Sequence, residues 1–230
     1  MKVALFDLDG TVLDTEGEYS VFWGGMGRKY HPEIEDFDKI IKGTTLTQIY
    51  ANYFPEPELQ AEITLQLDEW ESGMKYRFVA GAEDFILDLR SHGVKCGIVT
   101  SSNEKKMANV RKRIPNLDSL FDKVLTSEMF SASKPDPDCY LLGARVFGVG
   151  KSECVVFEDA FTGLEAGMRA GMFTVGLATT NSKDAICDRC HLVADSFSDL
   201  SYQRVEDEHR LFGVRCVIRS HAITFNVDQK

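Results

Sequence analysis

The sequence predicts an α/β protein with a three-layer, doubly wound parallel sheet at its core and an all-helical cap domain inserted after the first strand. Short apolar runs alternate with segments of helical spacing, which is typical of a parallel sheet. Several of these runs are apolar on consecutive residues, as expected for strands that helices cover on both faces. One region, from about residue 16 to 79, has helical segments without a clear strand.

The core is predicted to contain five strands joined by helices in right-handed crossovers. In the helix after the cap, Phe85, Ile86 and Leu89 share one face, and Gly93 can adopt the left-handed conformation that ends a helix. Pro137 suits the first turn of another helix. The predicted strands are Val3–Phe6, Val94–Val99, Lys123–Leu125, Cys154–Phe157 and Phe173–Leu177, and the predicted helices are Ala82–His92, Glu104–Ile114, Pro137–Phe147 and Thr162–Ala170.

The predicted cap has four helical segments, separated by proline and glycine residues. These segments are Glu18–Tyr30, Ile34–Ile41, Leu46–Tyr53 and Glu58–Tyr76. We therefore divide the chain into an α/β core of residues 1–15 plus 80–202, a helical cap of residues 16–79 and a C-terminal extension of residues 203–230. The pattern of Gly213–Val227 fits a hairpin, an added edge strand or a loose tail equally well.

The composition is that of a soluble protein with one large domain or a core with an insert. Among its 230 residues, 26 Lys and Arg stand against 36 Asp and Glu, giving a net charge of −10. This charge repels polyanions, so we expect binding neither to nucleic acid nor to anionic membranes. No apolar run suits a membrane span or a signal peptide. We expect a cytoplasmic protein with reduced cysteines, as a monomer or weak oligomer.

Cys187, Cys190 and His191 have the C-x-x-C-H spacing of a c-type haem attachment site. Such attachment belongs to exported proteins, and a zinc site would need a second Cys or His pair. We therefore favour a helix end on the solvent side that leads into the apolar run Leu192–Ala194.

Polar side chains follow the ends of four predicted strands. The carboxyl ends of parallel strands share one edge of the sheet, where ligands bind, so these side chains are expected in one pocket. Asp7 and Asp9 follow the first strand, Thr100, Ser101 and Ser102 the second, Lys134 lies in the loop after the third, and Glu158 and Asp159 follow the fourth.

Carboxylates that crowd together raise one another's pKa or recruit a cation, and oxygen donors without thiolate or imidazole indicate Mg²⁺. The metal, Lys134, the hydroxyls and the backbone N–H groups after a strand all favour an anion, so a phosphate is the expected guest. Gly10 allows a sharp turn that brings Asp7 and Asp9 over the same site. One carboxylate can attack phosphorus while the other handles the proton of the leaving group.

These segments resemble the motifs of the haloacid dehalogenase superfamily of phosphohydrolases, in the branch with a helical cap that includes β-phosphoglucomutase-like sugar-phosphate enzymes. The resemblance covers the chain from Met1 to about Leu200 and implies a Rossmann-like core. The matching motifs are FDLDGTVLDTE at Phe6–Glu16, VTSSN at Val99–Asn103, SKPDP at Ser133–Pro137, and FEDA at Phe157–Ala160 with Gly163, Ala166 and Gly167.

The resemblance implies roles for several of the motif residues. Asp7 would be the nucleophile that forms an aspartyl-phosphate, and Asp9 the general acid and then the general base. Lys134 would neutralise the nucleophile and the phosphate. Thr100 would donate to the phosphoryl oxygens, with Leu8, Ser101 and Ser102 in the same subsite, although Thr100 or Ser102 could instead cap the next helix. Mg²⁺ would be held by Asp7, the Asp9 carbonyl and Asp159, with Glu158 a ligand or a support.

In such enzymes the cap selects the substrate, and Trp23, Lys42 and Gly43 are the cap residues expected at the pocket, although Trp23 could belong only to the cap core. Related mutases carry an arginine in the following loop that holds a second phosphate, whereas this chain has Leu46. We therefore expect hydrolysis of a small phosphorylated metabolite such as a sugar phosphate. A phosphosugar mutase is the alternative, and an idle phosphometabolite-binding module the second. Dehalogenation and phosphonate hydrolysis through Lys42 are less favoured.

Overall fold

The computed structural model describes residues 1–42 and 44–213. Its core is a parallel sheet of six strands, which confirms the predicted fold class. The strands are β1 (Val3–Phe6), β2 (Lys95–Val99), β3 (Lys123–Leu125), β4 (Cys154–Glu158), β5 (Phe173–Leu177) and β6 (Leu192–Ala194). Their order is β3-β2-β1-β4-β5-β6, so the chain builds outward from β1 on one side and then on the other. The strand order reverses between β1 and β4, where open α/β sheets bind ligands.

The sequence predicts β1 to β5 to within one residue at each end, but it does not predict β6. This last strand has only three residues, and its apolar run alone resembles a loop that follows a helix. Pairing with β5 makes it a strand, because Leu192 lies beside Val175 and Ala194 lies beside Leu177.

Helices cover both faces of the sheet and form the cap. The cap contains α1 (Glu16–Tyr30), α2 (Phe37–Ile40), α3 (Leu46–Tyr53) and α4 (Pro57–Gly73), and the core contains α5 (Ala82–Ser91), α6 (Glu104–Arg113), α7 (Leu117–Leu120), α8 (Asp138–Phe147), α9 (Phe161–Ala170) and α10 (Lys183–Ile186). Residues 202–213 form a further helix, α11.

Alternate residues of β1 supply two separate cores, one on each side of the sheet. Phe6 stacks on Phe157 with ring centroids 4.6 Å apart, in the core that includes α5 and α6. Leu5 faces the other way and packs with Tyr140 of α8 and Ala166 of α9. Every residue of β1 is therefore buried, which explains its unbroken apolar run.

The cap has a hydrophobic core of its own. Phe54 is fully buried there, and the rings of Trp23, Tyr30 and Phe37 surround it at centroid distances of 5.9–6.5 Å. The second helix is shorter than the predicted Ile34–Ile41, because Asp36 adopts a left-handed conformation with φ 54° that interrupts the helical spiral. The two connections to the core run side by side, since the Val79 N–H donates to the Val12 carbonyl at 2.9 Å.

The start of the predicted C-terminal extension packs on the core through α11. Val205 is fully buried, and Tyr202 stacks on His92 with ring centroids 4.1 Å apart. The N-terminal ammonium of Met1 lies 2.8 Å from Glu206. Of the segment Gly213–Val227, residues 214–227 lie outside the described part of the chain.

The C-x-x-C-H segment forms a short helical turn that leads into β6. Cys187 is exposed and Cys190 half-buried. The imidazole of His191 accepts the Thr174 N–H at 3.0 Å and stacks on Phe173. His191 therefore helps to join β5 to β6. Within residues 1–42 and 44–213, no helix combines the length and the apolarity that crossing a membrane requires.

We predict that Phe85→Ala destabilises the core strongly. Phe85 is 3% exposed, and its ring packs on those of Phe157 and Phe197 with centroid distances of 5.4 Å in both pairs. The cavity left by the ring should lower the free energy of unfolding by about 3–5 kcal/mol. Leu87→Ala on the same helix is the control, because Leu87 is 52% exposed and its loss should cost less than about 0.5 kcal/mol. Urea unfolding of both variants measures the difference, and equal losses would contradict this view of the core.

Candidate active site

The polar segments that follow β1, β2, β3 and β4 meet at the carboxyl edge of the sheet, around one cavity of about 370 Å³. The sheet forms the floor of this cavity and the cap forms its roof. Leu8 and Asp159 are fully buried, and the side chain of Leu8 packs in the hydrophobic core. The predicted core residues that line the cavity are Asp7, Asp9, Thr100, Ser101, Ser102, Lys134 and Glu158.

Lys134 forms the centre of this arrangement, with only 2% of its surface exposed. Its Nζ donates to Asp7 Oδ1 at 2.6 Å, to Glu158 Oε1 at 2.7 Å and to the Val99 carbonyl at 3.3 Å. Burial by itself would lower the pKa of Lys134, but the two carboxylates raise it well above its ordinary value. Lys134 is therefore a fixed positive charge next to Asp7.

Glu158 accepts four hydrogen bonds. Oε1 accepts from Lys134 and from the Tyr140 hydroxyl at 2.9 Å, and Oε2 accepts the N–H groups of Asp159 and Ala160 at 3.0 and 3.1 Å. A carboxylate offers about four such acceptor positions, so this set occupies them all. Glu158 thus connects β4, Lys134 and α8, and this geometry favours its expected role as a support over that of a metal ligand.

Asp7, Glu158 and Asp159 are buried, and their carboxylate oxygens lie within 4.8 Å of one another. Asp159 Oδ1 accepts from Thr11 at 2.7 Å, while its Oδ2 is buried with no hydrogen-bond partner among the described residues. Burial and the neighbouring carboxylates raise the pKa of Asp159, and burial also raises that of Asp7, although Lys134 opposes this. A divalent cation held by oxygen would compensate these charges, so the donor set fits Mg²⁺.

Asp9 lies beside Asp7 but has a separate set of partners. Its Oδ1 accepts from Thr15 at 2.6 Å, and its Oδ2 accepts from Ser102 at 2.9 Å and from Lys106 at 2.5 Å. Burial would raise the pKa of Asp9, but Lys106 and the hydroxyl donors hold it below its ordinary value. Asp7 and Asp9 therefore occupy different electrostatic environments.

The strand-end pattern and the motifs of the sequence do not identify Lys106 as a site residue. The signal for it is helical spacing, because Lys106 and Val110 are four residues apart and so share the inner face of α6. This spacing is hard to recognise in the sequence, because Glu104 to Lys106 are three consecutive charged residues. Such a run is typical of a solvent-exposed helix end.

The hydroxyl groups after β2 remain at the cavity. The helix cap there is Asn103, whose side chain accepts the Lys106 N–H at 2.9 Å, so the alternative in which Thr100 or Ser102 caps α6 is wrong. Thr100 Oγ1 accepts the Ser102 N–H at 3.0 Å. The Ser101 hydroxyl is buried with no hydrogen-bond partner among the described residues.

The cap side of the cavity carries aromatic, hydroxyl and carboxylate groups. Trp23 lines the cavity and also packs on Phe22 and Phe54, so it belongs to both the wall and the cap core. Lys42 lines the cavity 2.9 Å from a carboxylate oxygen of Glu16, and Gly43 lies outside the described residues. The cap residues in the wall are Glu16, Tyr19, Ser20, Trp23, Asp38, Ile41, Lys42, Thr44, Thr45, Leu46, Thr47, Ile49, Tyr50, Leu67, Asp68 and Glu71.

The described wall contains three cationic side chains and no arginine. Each cation has an acidic neighbour, since Lys134 pairs with Asp7 and Glu158, Lys106 with Asp9 and Lys42 with Glu16. This wall thus offers no unpaired cation for a second anionic group.

A family model for haloacid dehalogenase-like hydrolases matches residues 4–177. The chain belongs to this family. The match includes all four motifs and confirms the resemblance, with its implication of a hydrolase.

Two curated relatives of the hydrolase are named as phosphatases. Validoxylamine A 7′-phosphate phosphatase from Streptomyces hygroscopicus subsp. limoneus is 30% identical over 203 residues, which cover 84% of this chain and 93% of the relative. Hexitol phosphatase A from Escherichia coli (strain K12) is 32% identical over 182 residues, covering 76% and 82%. A β-phosphoglucomutase structure from Clostridium difficile has a TM-score of 0.77 at 22% identity, covering 93% and 99%, and so shares the fold.

We predict that Gly163→Ala destabilises the hydrolase by about 1–3 kcal/mol, although alanine is the better helix former. A Cβ at Gly163 would lie 1.7 Å from Glu158 Oε1, the atom that accepts from Lys134. Gly25→Ala in α1 is the control, because its Cβ meets nothing within 4 Å and should raise stability slightly. Thermal unfolding compares the two, and a stable Gly163→Ala protein would contradict the close packing around Glu158.

Proposed function

We propose that this hydrolase is a Mg²⁺-dependent phosphatase that releases phosphate from a small, hydroxyl-rich phosphomonoester through an aspartyl-phosphate on Asp7. The observation that carries the proposal is the Lys134 ammonium, 2.6 Å from Asp7 Oδ1, beside buried carboxylates at the carboxyl edge of the sheet. A nucleophilic carboxylate must approach an anionic phosphate, and a fixed ammonium next to it reduces their repulsion.

In the proposed first step, an oxygen of Asp7 attacks phosphorus and the bond from phosphorus to the ester oxygen breaks. Asp9, which is ionised in the free protein, takes up a proton from solvent when the substrate binds and donates it to that leaving oxygen, which departs as an alcohol. In the second step, Asp9 takes a proton from water, which attacks the aspartyl-phosphate and restores Asp7. Lys134 stabilises the negative charge in both steps, while the hydroxyls of Thr100 and Ser101 donate to the phosphoryl oxygens.

Mg²⁺ would be held by Asp7, Asp159 and the backbone carbonyl of Asp9, and it would neutralise part of the phosphate charge. The buried, unpartnered Oδ2 of Asp159 supports this assignment, since such an oxygen is costly unless a cation or a donor satisfies it. Glu158 would keep Lys134 and the Asp159 backbone in place.

The wall of the cavity supports a substrate with many hydroxyls and one phosphate. Carboxylates and hydroxyls of the cap, such as Glu16, Thr47 and Tyr50, can exchange hydrogen bonds with a polyol, and Trp23 offers an apolar surface to a carbon skeleton. The names of the two phosphatase relatives point to a hexitol phosphate and to validoxylamine A 7′-phosphate. We therefore propose a sugar or polyol phosphate, and no nucleic acid, as the partner.

The mutase alternative needs a cation for a second phosphate. Leu46 and the paired lysines offer none among the described wall residues. With β-glucose 1-phosphate and its bisphosphate activator, free phosphate and not glucose 6-phosphate should accumulate. The idle-module alternative is disfavoured because Asp7 and Lys134 are both present and in contact.

Asp7→Asn should abolish Mg²⁺-dependent phosphate release from hexitol and aryl phosphates, because the amide is a poor nucleophile and forms no acyl phosphate. Asp14→Asn is the matched control: Asp14 is exposed in the same motif and should keep wild-type activity. Residual turnover in Asp7→Asn would assign the nucleophile elsewhere, and an inactive wild type across phosphorylated sugars and polyols would refute the phosphatase function.

Mg²⁺ should raise the melting temperature of the wild-type protein, because an ion that binds only the folded state stabilises it by about 2.7 kcal/mol at 100 times its Kd. In Asp159→Asn this increase should disappear. Asp188→Asn, an exposed acid far from the cavity in sequence, should retain it. The measurement needs no substrate, and an unchanged Mg²⁺ effect in Asp159→Asn would exclude the proposed ligand.

A further inference from the structure

Lys106 is a buried charge in the cavity wall that the mechanism above leaves without a role. It is 3% exposed, and its Nζ lies 2.5 Å from Asp9 Oδ2 and 4.4 Å from the centroid of the Tyr19 ring. A buried ammonium is costly unless it is paired, and Asp9 is its ion-pair partner among the described residues. Its burial is therefore explained by Asp9.

The ammonium of Lys106 is confined on two sides. Asp9 contacts it from the core, and the ring of Tyr19 covers it from the cap. The Tyr19 ring is itself fixed, because its hydroxyl donates to Glu71 of α4 at 2.8 Å. Lys106 thus points at Asp9 with little freedom to turn elsewhere.

Asp9 is held by donors from three parts of the chain. Thr15 precedes α1, Ser102 follows β2 and Lys106 belongs to α6. The two hydroxyls are neutral, so Lys106 supplies the one bond among the described donors in which both the donor and the acceptor are charged. Because it accepts hydrogen bonds from three directions, the Asp9 carboxylate keeps one orientation relative to Asp7.

We propose that Lys106 is a positioning residue that holds the Asp9 carboxyl in line with the leaving oxygen. This inference rests on the proposed phosphatase function and deepens it. Proton transfer depends on the placement of the acid relative to the oxygen that departs. Lys106 forms its ion pair with Asp9, so its loss should leave the Asp9 carboxyl misplaced relative to the leaving oxygen and should spare the attack of Asp7 on phosphorus.

The test compares Lys106→Met, Asp9→Asn and the double variant on two substrates that differ in leaving group. Hexitol 6-phosphate releases an alkoxide that needs a proton, whereas p-nitrophenyl phosphate releases a stabilised phenolate that does not. In Lys106→Met, kcat/KM should fall on the order of 10- to 100-fold for the hexitol phosphate, as part of the general-acid contribution, and far less for the aryl phosphate. Lys112→Met, an exposed lysine on the same helix, should match the wild type on both.

The double variant distinguishes action through Asp9 from direct contact with the substrate. If Lys106 acts through Asp9, Asp9→Asn with Lys106→Met should be no slower than Asp9→Asn alone. The proposal would be overturned if the losses of kcat/KM in the two single variants multiplied in the double variant. It would also be overturned if Lys106→Met lost kcat/KM equally on both substrates. Should Lys106→Met fail to fold because Asp9 is left unpaired, Lys106→Gln replaces it, since the amide can still donate to Asp9: a loss confined to the hexitol phosphate supports the proposal, and an equal loss on both substrates overturns it.

The outcome for Lys106 is separate from that for the phosphatase function. A wild-type protein inactive on both substrates refutes the phosphatase proposal itself. An active wild type, an inactive Asp7→Asn and a Lys106→Met variant that matches the wild type would leave the phosphatase in place and remove Lys106 from it.

Discussion

The arrangement of the site depends on one buried ammonium, that of Lys134, held between Asp7 and Glu158. A buried charge of this kind is stable only when its partners are fixed, so the end of β1, the end of β4 and the loop after β3 must meet at one point. The sheet order makes this possible, because β1 and β4 are neighbours at the position where the strand order reverses. The sheet therefore positions the partners of Lys134, and the ion pairs of Lys134 in turn hold the ends of β1 and β4 together.

The acids around this ammonium have separate tasks because their surroundings differ. Glu158 has all its acceptor positions occupied and supports Lys134, whereas Asp159 keeps one buried oxygen that has no hydrogen-bond partner in the described part of the chain. Close packing also holds the Glu158 carboxylate in place. It lies against Gly163, where a Cβ would collide with it. Asp9 belongs to a second centre, in which Lys106 takes the place that Lys134 has at Asp7.

The cap closes this site without adding free positive charge. Its lysine at the wall is beside Glu16, and hydroxyl, aromatic and acidic groups form most of the remaining surface. Such a surface suits a neutral, hydroxyl-rich group and repels a second anion, because like charges in a partly desolvated pocket interact strongly. In the proposed phosphatase, the core would provide the chemistry of phosphate, and the cap would select the group attached to it.

The sequence alone determined five strands and the four longer core helices between them, α5, α6, α8 and α9, because their apolar periodicity is local and both faces of the sheet must be covered. It also determined the motif residues around Asp7, since the carboxyl ends of parallel strands share an edge. Tertiary structure decided what depends on distant partners. β6 is a strand because β5 lies beside it, and Lys106 faces Asp9 because α6 turns one lysine inward among charged neighbours. Glu158 is a structural support because Lys134, Tyr140 and two backbone N–H groups all donate to it. Lys134 and Tyr140 are distant in sequence, so no local pattern predicts this set of donors.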